Sequence, residues 1–128
     1  MSSKILIDTC AWIDFLRSGA GTLGDLGEQA LAQDAALLCG GMVSELLQGA
    51  KGEKEKRQLE FLFASVECLP IEENDWLTAG NSLQTLRQGG ITLPLTDALI
   101  AAVAKRRDVP VLTVDAHFQH LSVKLLAV

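Results

Sequence analysis

Short apolar stretches alternate with longer amphipathic ones along the whole of this sequence. Compact aliphatic runs are typical of buried strands, and apolar residues three and four positions apart are typical of helices. The predicted strands are residues 4–9, 35–39, 66–71 and 109–114, with a candidate edge strand at 122–128. The predicted helices are residues 11–16, 22–33, 42–48, 53–64, 72–88 and 96–107. This alternation predicts a parallel sheet of four to five strands with helices on both faces, which is a three-layer α/β/α sandwich.

The length and the composition are typical of one globular domain. The chain has 128 residues and contains no repeat or linker, so residues 1–128 are predicted to form a single domain. Hydrophobic residues make up 48% and charged residues 21% of the sequence, which excludes wholesale disorder. No apolar run approaches the roughly 18 residues that a membrane helix needs. Asp8 interrupts the first apolar run too early for a signal peptide, so we expect a cytoplasmic protein without a membrane partner.

The three cysteines are not spaced as a disulfide or zinc framework. Cys10, Cys39 and Cys68 are odd in number and include no Cys-x-x-Cys pair. Each lies in or beside an apolar run, where a free thiol behaves as a small hydrophobic group. We therefore expect three buried structural thiols.

Negative charge dominates the sequence. The net charge of −5 argues against a protein that coats nucleic acid through bulk positive charge. It leaves open a nuclease whose acids are gathered at a metal site. In a parallel sheet the strands end, and the following helices begin, at one edge where ligands bind. The positions of the acids relative to that edge therefore decide between the two readings.

Four acidic residues are predicted to meet at this edge. Asp8 and Asp115 end the first and the fourth predicted strands. Glu45 lies near the start of the helix after the second strand, and Asp97 begins an Ala-rich helix behind an expected N-cap at Thr96. Taken singly, each acid could be an ordinary surface residue or a residue at the end of an element. Clustered carboxylates, however, repel one another unless a cation neutralises them. Carboxylate oxygens suit Mg²⁺ or Mn²⁺, so the sequence predicts a site for one of these ions.

Four segments resemble a known family in order, spacing and context. They are residues 5–9 (ILIDT), 44–46 (SEL), 97–102 (DALIAA) and 113–118 (TVDAHF). Together they look like a PIN domain, in particular the toxin ribonucleases called VapC, over essentially the whole chain. The resemblance implies metal-dependent cleavage of RNA phosphodiester bonds. It also implies a catalytic site of Asp8, Glu45, Asp97 and Asp115, with Asp8, Asp97 and Asp115 as the expected metal ligands.

Two positions depart from the family pattern. Cys10 stands where such toxins often carry Asn or Ser. Ala116 and His117 follow Asp115, where some relatives carry a further acid. The number of metal ions, one or two, is therefore left open. In either case we expect the ion to activate a water for in-line attack and to stabilise charge on the scissile phosphate.

Several residues are candidates for supporting roles. Thr9 and Thr113 are expected to hydrogen-bond a ligand carboxylate or a metal-bound water. Arg17, Lys51 and Lys54 are candidate contacts to RNA phosphates, although mixed charge around the two lysines is also typical of a solvated helix face. The family resemblance further implies a cognate antitoxin protein and a homodimer.

Other functions are compatible with parts of the sequence. His117 and His120 suggest a metal-free ribonuclease with a histidine acid and base, but no lysine stands where it would stabilise the phosphorane. We expect a structural or surface role for both. A haloacid-dehalogenase phosphotransferase needs an aspartate where this chain has Cys10, and a receiver domain needs one at the end of the third strand, residues 66–71, which has none. Both functions are therefore disfavoured. A PIN-like scaffold that binds RNA or protein without cleavage stays open, although all four acids are present.

Overall fold

A four-stranded parallel sheet forms the centre of the computed structural model, which describes residues 4–17 and 22–126. The strands are β1 (Ile5–Ile7), β2 (Ala36–Cys39), β3 (Glu67–Leu69) and β4 (Val111–Leu112). Their spatial order is β3-β2-β1-β4. Leu6 of β1 is level with Leu37 of β2 on one side and with Val111 of β4 on the other. The strand order therefore reverses between β1 and β4.

Helices make up the connections between these strands. The α-helices of the described residues are α1 (Thr9–Arg17), α2 (Thr22–Ala32), α3 (Gly40–Gln48), α4 (Glu53–Ser65), α5 (Glu73–Gln88) and α6 (Leu95–Arg107). A short 3₁₀ helix (Ala116–His120) follows β4. The connections through α1–α4 and through α5–α6 run in opposite directions across the sheet, so right-handed crossovers put them on opposite faces. The predicted three-layer α/β/α sandwich is confirmed, with four strands.

Several elements begin or end at residues other than those predicted. The pattern predicts Thr9 at the end of the first strand, but Thr9 is the first residue of α1. Gly40 and Gly41 begin α3 instead of closing the second strand. The fourth strand pairs only over Val111–Leu112 rather than over residues 109–114. Apolar patterning reports burial, whereas a strand ends where its backbone pairing ends, so the pattern overestimates strand length.

Two expectations about the ends of elements are wrong. Helix α6 begins at Leu95, and its N-cap is Pro94 rather than Thr96. The candidate edge strand at 122–128 is, within the described residues, a single parallel bridge between Leu125 and Val111. Residues 127–128 of that candidate lie outside the described residues.

Small residues bring the helices of the two faces together at one edge of the sheet. A Cβ placed on Gly41, in the first turn of α3, would lie only 2.9 Å from Cγ2 of Thr96 in α6. Helix α6 is buried from Asp97 to Ala104, because its alanines let its backbone approach the sheet closely. Across residues 4–17 and 22–126, the helices lack the length and apolar character needed to cross a membrane.

The expectation of three buried thiols holds for one cysteine. Cys39 is buried at the end of β2, whereas Cys68 is exposed on the edge strand β3. Cys10 is half-buried on α1. All three are free thiols. Neighbouring apolar residues in the sequence therefore did not decide which thiols the tertiary structure covers.

An ion pair between the buried Asp75 and the half-buried Arg106 joins α5 to α6. Arg106 donates to Asp75 through Nη2, 2.9 Å from Oδ2, and through Nε, 3.0 Å from Oδ1. Nη2 also donates to the carbonyl of Pro70, and the Asp75 carboxylate accepts the backbone N–H of Glu72 at 2.8 Å. Burial alone would raise the pKa of Asp75, but these hydrogen bonds and the charge of Arg106 outweigh burial and lower it. The pair thus fixes the start of α5 against the end of α6.

Candidate active site

The four predicted acids lie around the end of β1. Asp8 is the first residue after β1, and its backbone N–H donates to the Leu112 carbonyl of β4 at 3.0 Å. Asp115 lies beyond β4 rather than at its last residue, and Asp97 lies in the first turn of α6. Glu45 lies in the second turn of α3 rather than the first, because that helix begins before Met42. Asp8 and Asp115 thus follow the two strands between which the strand order reverses, which is where parallel α/β sheets bind ligands.

Asp97, Asp115 and His117 form the most compact group of this site. Nδ1 of His117 lies 2.8 Å from Oδ2 of Asp97 and 3.1 Å from Oδ1 of Asp115. One ligand atom from each of the three residues lies within 4.8 Å of the others. Asp115 also caps the 3₁₀ helix by accepting the backbone N–H of His117 at 2.9 Å. This cap fixes the turn that directs the imidazole towards the two carboxylates.

The hydroxyl of Thr113 links Asp8 to Asp115. It donates to Oδ2 of Asp8 at 2.8 Å and accepts the backbone N–H of Asp115 at 2.9 Å. Asp8 is 4% exposed and Thr113 is 7% exposed, so the hydrogen bond between them is protected from solvent. The hydrogen bond expected between Thr113 and a site carboxylate is therefore present.

Cys10 also contacts this buried carboxylate. Its Sγ donates to Oδ2 of Asp8 at 3.4 Å and lies 3.5 Å from Oγ1 of Thr113. Sequence reasoning gave Cys10 no role in the site. Its place two residues after Asp8, in the first turn of the following helix, was the available signal.

Glu45 stands on another side of the site. Oγ1 of Thr9 donates to Oε1 of Glu45 at 2.8 Å, so it contacts a predicted catalytic acid that is not one of the expected metal ligands. Glu45 is exposed and is not part of the compact group around His117, as far as the described residues go. Thr9 follows Asp8 directly, and this connection places Glu45 at the same edge of the sheet.

Burial and mutual repulsion make it unfavourable for all the carboxylates of the site to be charged at once. Burial raises the pKa of Asp8, and the charge of Asp115 adds to this effect against the hydrogen bonds from Thr113 and Cys10. Burial also raises the pKa of Asp97, as do the charges of Asp115 and Asp8. The hydrogen bond with Asp97 raises the pKa of His117, and the neighbouring carboxylates contribute in the same direction. The site therefore favours a positive charge among its acids.

The side chains present fit a divalent cation. Carboxylate oxygens are preferred ligands of Mg²⁺ and Mn²⁺, and imidazole nitrogen binds first-row transition metals. Adjacent ligands of an octahedral ion at about 2.1 Å are roughly 3 Å apart. The distances of 2.8 and 3.1 Å from His117 Nδ1 to its two carboxylate neighbours are those of N–H···O hydrogen bonds and are also compatible with that separation. A cation would also relieve the repulsion that raises the pKa of Asp8 and Asp97.

The predicted RNA contacts lie on the surface near Glu45. Arg17 ends α1, and its Nη2 donates to the Gly49 carbonyl at 3.4 Å and to Oε1 of Glu55 at 3.5 Å. Lys51 and Lys54 are exposed where α3 leads into α4. No described contact tests their role, which stays a prediction.

The two histidines have different surroundings. The ring of His117 contacts the acids of the site, so the expectation of a structural or surface role leaves out its main contacts. His120 is exposed and lines a hollow together with Ser82 and Thr85 of α5. This arrangement gives no support to a paired histidine acid and base.

Fold and site together define a class of α/β protein in which carboxylates gather at the reversal point of a small parallel sheet. The family model described as "PIN domain" matches residues 5–124. The chain therefore belongs to the PIN domain family, as its four sequence segments predict.

Individual relatives agree with this assignment. The chain is 30% identical over 118 residues to the VapC ribonuclease Mb1587 of Mycobacterium bovis, covering 89% of this chain and 88% of the relative. It is similar in structure to VapBC-5 of Mycobacterium tuberculosis, a member of the VapBC family of toxin-antitoxin systems. That match has a TM-score of 0.67 and 23% identity, and covers 98% of this chain and 99% of the other. Mycobacterium tuberculosis VapC20, a sarcin-ricin loop cleaving toxin, matches with a TM-score of 0.72 and 14% identity over 98% and 100% of the two chains. The two structural matches support the fold.

Proposed function

We propose that this chain is an endoribonuclease that cleaves RNA phosphodiester bonds with the help of Mg²⁺ or Mn²⁺, and that it is the toxin of a toxin–antitoxin pair. The observation that carries this proposal is the meeting of Asp97 and Asp115 at His117, with Asp8 joined to them through Thr113. The ribonuclease named among its relatives, 30% identical over most of both chains, supports the same activity.

The side chains of the site divide into ligands and groups that orient them. Asp8, Asp97 and Asp115 are the proposed ligands of the ion. When bound, a divalent cation stabilises negative charge on a scissile phosphate and lowers the pKa of an attacking water. Thr113 holds the Asp8 carboxylate in place, and its burial keeps that orientation fixed. Glu45 is an exposed carboxylate whose Oε1 accepts the Thr9 hydroxyl, and its proposed role is to accept a proton from the attacking water.

The proposed partners follow from the same relatives. VapBC-5 is described as a member of a toxin-antitoxin family, and on that likeness we propose a cognate antitoxin protein for this chain. We also propose a homodimer and a cytoplasmic location, where the RNA substrate would be found. Arg17, Lys51 and Lys54 are the proposed contacts to RNA phosphates, because they are exposed on or beside the elements that flank Glu45.

The proposal is tested by cleavage of end-labelled total RNA with the purified full chain. We expect cleavage with Mg²⁺ or Mn²⁺, none in EDTA, and a rate lower by roughly 100-fold or more for Asp97→Asn. Asp34→Asn is the matched control, because Asp34 is an exposed aspartate that precedes β2, at the opposite edge of the sheet. Wild-type cleavage by Asp97→Asn, or full activity in EDTA, would contradict the proposal. RNA binding by the wild type without cleavage would favour the scaffold function instead.

A further inference from the structure

The imidazole of His117 lies between two carboxylates of the candidate site. Its Nδ1 is the atom that both acids approach, Asp97 at 2.8 Å and Asp115 at 3.1 Å. The two acids come from different elements, α6 and the segment after β4. A single ring nitrogen thus joins groups that the fold brings together from separate parts of the chain.

The backbone around His117 holds this ring in place. Asp115 accepts the His117 N–H and so fixes the start of the 3₁₀ helix. The next residue, Phe118, is fully buried and anchors the same helix in the core. The side chain of His117 itself is 43% exposed, so ions and water reach the ring from solvent. The nitrogen is therefore both fixed and accessible.

Two roles for this ring are physically distinct. If the ring only neutralised the two acids, it would compete with a cation, and its removal would raise the affinity for every divalent ion. If Nδ1 is a ligand, its removal lowers that affinity. The separations of Nδ1 from its two oxygen neighbours, 2.8 and 3.1 Å, are shared by a hydrogen-bonded imidazole and by a pair of adjacent metal ligands. One ligand atom each from His117, Asp97 and Asp115 lies within 4.8 Å of the others, which is compact enough for one ion, so metal binding decides between the two roles.

We propose that His117 coordinates the cation of this site through Nδ1 and biases the site towards Mn²⁺ over Mg²⁺. The inference rests on the proposed function, which places a divalent cation among Asp8, Asp97 and Asp115. Imidazole nitrogen is a good ligand for first-row transition metals, whereas Mg²⁺ prefers oxygen ligands and keeps several of its waters. A nitrogen among the carboxylates therefore adds more to the binding of Mn²⁺ than to that of Mg²⁺.

The test measures metal binding by the full chain in the absence of RNA. Calorimetric titrations with Mn²⁺ and Mg²⁺ compare the wild type, His117→Ala and His120→Ala, and pulsed electron paramagnetic resonance detects a nitrogen bound to Mn²⁺. We expect His117→Ala to lower the Mn²⁺ affinity by about 10–100-fold, to change the Mg²⁺ affinity much less, and to abolish the nitrogen signal. His120→Ala is the matched control from the same 3₁₀ helix, and it should behave as the wild type.

Other results of these measurements would contradict either the ligand role of His117 or the cation site itself. Unchanged or higher affinity for both ions in His117→Ala overturns the ligand role, and so does a wild-type Mn²⁺ complex without a nitrogen signal. That spectrum needs no variant, so the proposal stays testable even if His117→Ala fails to fold. The variant Asp97→Asn separates the two proposals. If Asp97→Asn binds both ions as the wild type does, the proposed cation site is wrong. If it loses them while His117→Ala keeps them, only the role of His117 is wrong.

Discussion

Replacing Arg106 with leucine should destabilise this protein far more than the same change at Arg107, its neighbour in α6. Arg106 is the partner of Asp75, a carboxylate that is only 2% exposed and accepts both Nε and Nη2 of the guanidinium. Arg107 lies 4.0 Å from Glu67 in a pair whose side chains are 43% and 51% exposed. The two variants therefore compare the partner of a buried carboxylate with the partner of an exposed one on the same helix.

The expected magnitude follows from what each change leaves behind. Without Arg106, the hydrogen bond from the Glu72 N–H is the one that the buried Asp75 carboxylate keeps among residues 4–17 and 22–126. Leaving one partner of a buried ion pair uncompensated costs about 3–5 kcal/mol of unfolding free energy. For a domain of this size that corresponds to a melting temperature lower by roughly 10–20 °C. Losing the Arg107 pair should cost less than about 1 kcal/mol.

The dependence on pH has a defined sign. The pKa of Asp75 is lowered in the folded protein, so the pair stabilises the fold fully above the unfolded aspartate pKa of about 3.9. That contribution is lost as the pH falls through the lowered value. In Arg106→Leu the unpaired Asp75 carboxylate has a raised pKa. As the pH falls it becomes protonated, which removes the buried charge and reduces the destabilisation of the variant. The difference in stability between wild type and variant should therefore be largest near neutral pH and shrink towards acid pH.

Urea unfolding at several pH values measures these differences in unfolding free energy. The m-value, which is the slope of that free energy against urea concentration, should be the same in all variants if they unfold in the same way. The double variant Asp75→Leu, Arg106→Leu should recover much of the loss, because no charge is left buried. Equal destabilisation by Arg106→Leu and Arg107→Leu would refute the reasoning. So would a difference between wild type and Arg106→Leu that does not change with pH.

Four further results are expected at the candidate site and on the surface near it. Asp8→Asn should raise the melting temperature in EDTA, since the raised pKa of Asp8 means that its charged form destabilises the fold at neutral pH. A cation at a hundredfold excess over its Kd should stabilise the wild type by about 2.7 kcal/mol and Asp8→Asn much less, and equal shifts would contradict the ligand role. Thr113→Val should cost about 1–3 kcal/mol in urea unfolding and slow RNA cleavage, because it leaves Asp8 and the Asp115 N–H without their shared hydroxyl. Thr113→Ser should retain both properties, and an equally damaged serine variant would argue against a role for the hydroxyl. The pair Lys51→Gln, Lys54→Gln should weaken RNA binding in fluorescence anisotropy and reduce the slope of log affinity against log salt by about 0.7 for each lost phosphate contact. An unchanged slope would show that these lysines do not contact RNA phosphates.

Local patterns predicted most of the fold because the buried face of a helix or strand is apolar, and its residues recur in the sequence with the period of that element. The order of strands and helices, the parallel sheet and the three layers are all confirmed. Boundaries were less accurate, as at Thr9 and Gly40, because the residue at which a strand gives way to a helix depends on backbone pairing with other strands. Right-handed crossovers then left little choice of topology, and that topology determined which strand ends become neighbours.

The acids of the site could be chosen from the sequence for the same reason. Asp8 follows a compact apolar run, and Asp97 lies in the first turn of a helix, so each position relative to the edge of the sheet is a local property. The sequence placed Thr9 and Thr113 beside site acids, but their hydroxyls bond to carboxylates 36 and 105 positions away, so only the fold chose those partners. The sequence alone therefore determined the architecture of this protein and the acidic character of one edge of its sheet.

The tertiary structure alone decided which side chains meet. His117 contacts Asp97 across 20 positions of sequence, and Arg106 contacts Asp75 across 31. Basic residues in the last turn of α6 are typical partners of the helix dipole, and nothing in that local pattern indicates a buried aspartate on α5. Contacts of this kind depend on how two helices pack and where a turn directs a ring. A one-dimensional pattern carries no such information, because the periodicity of a segment specifies which face is buried but not what lies against it.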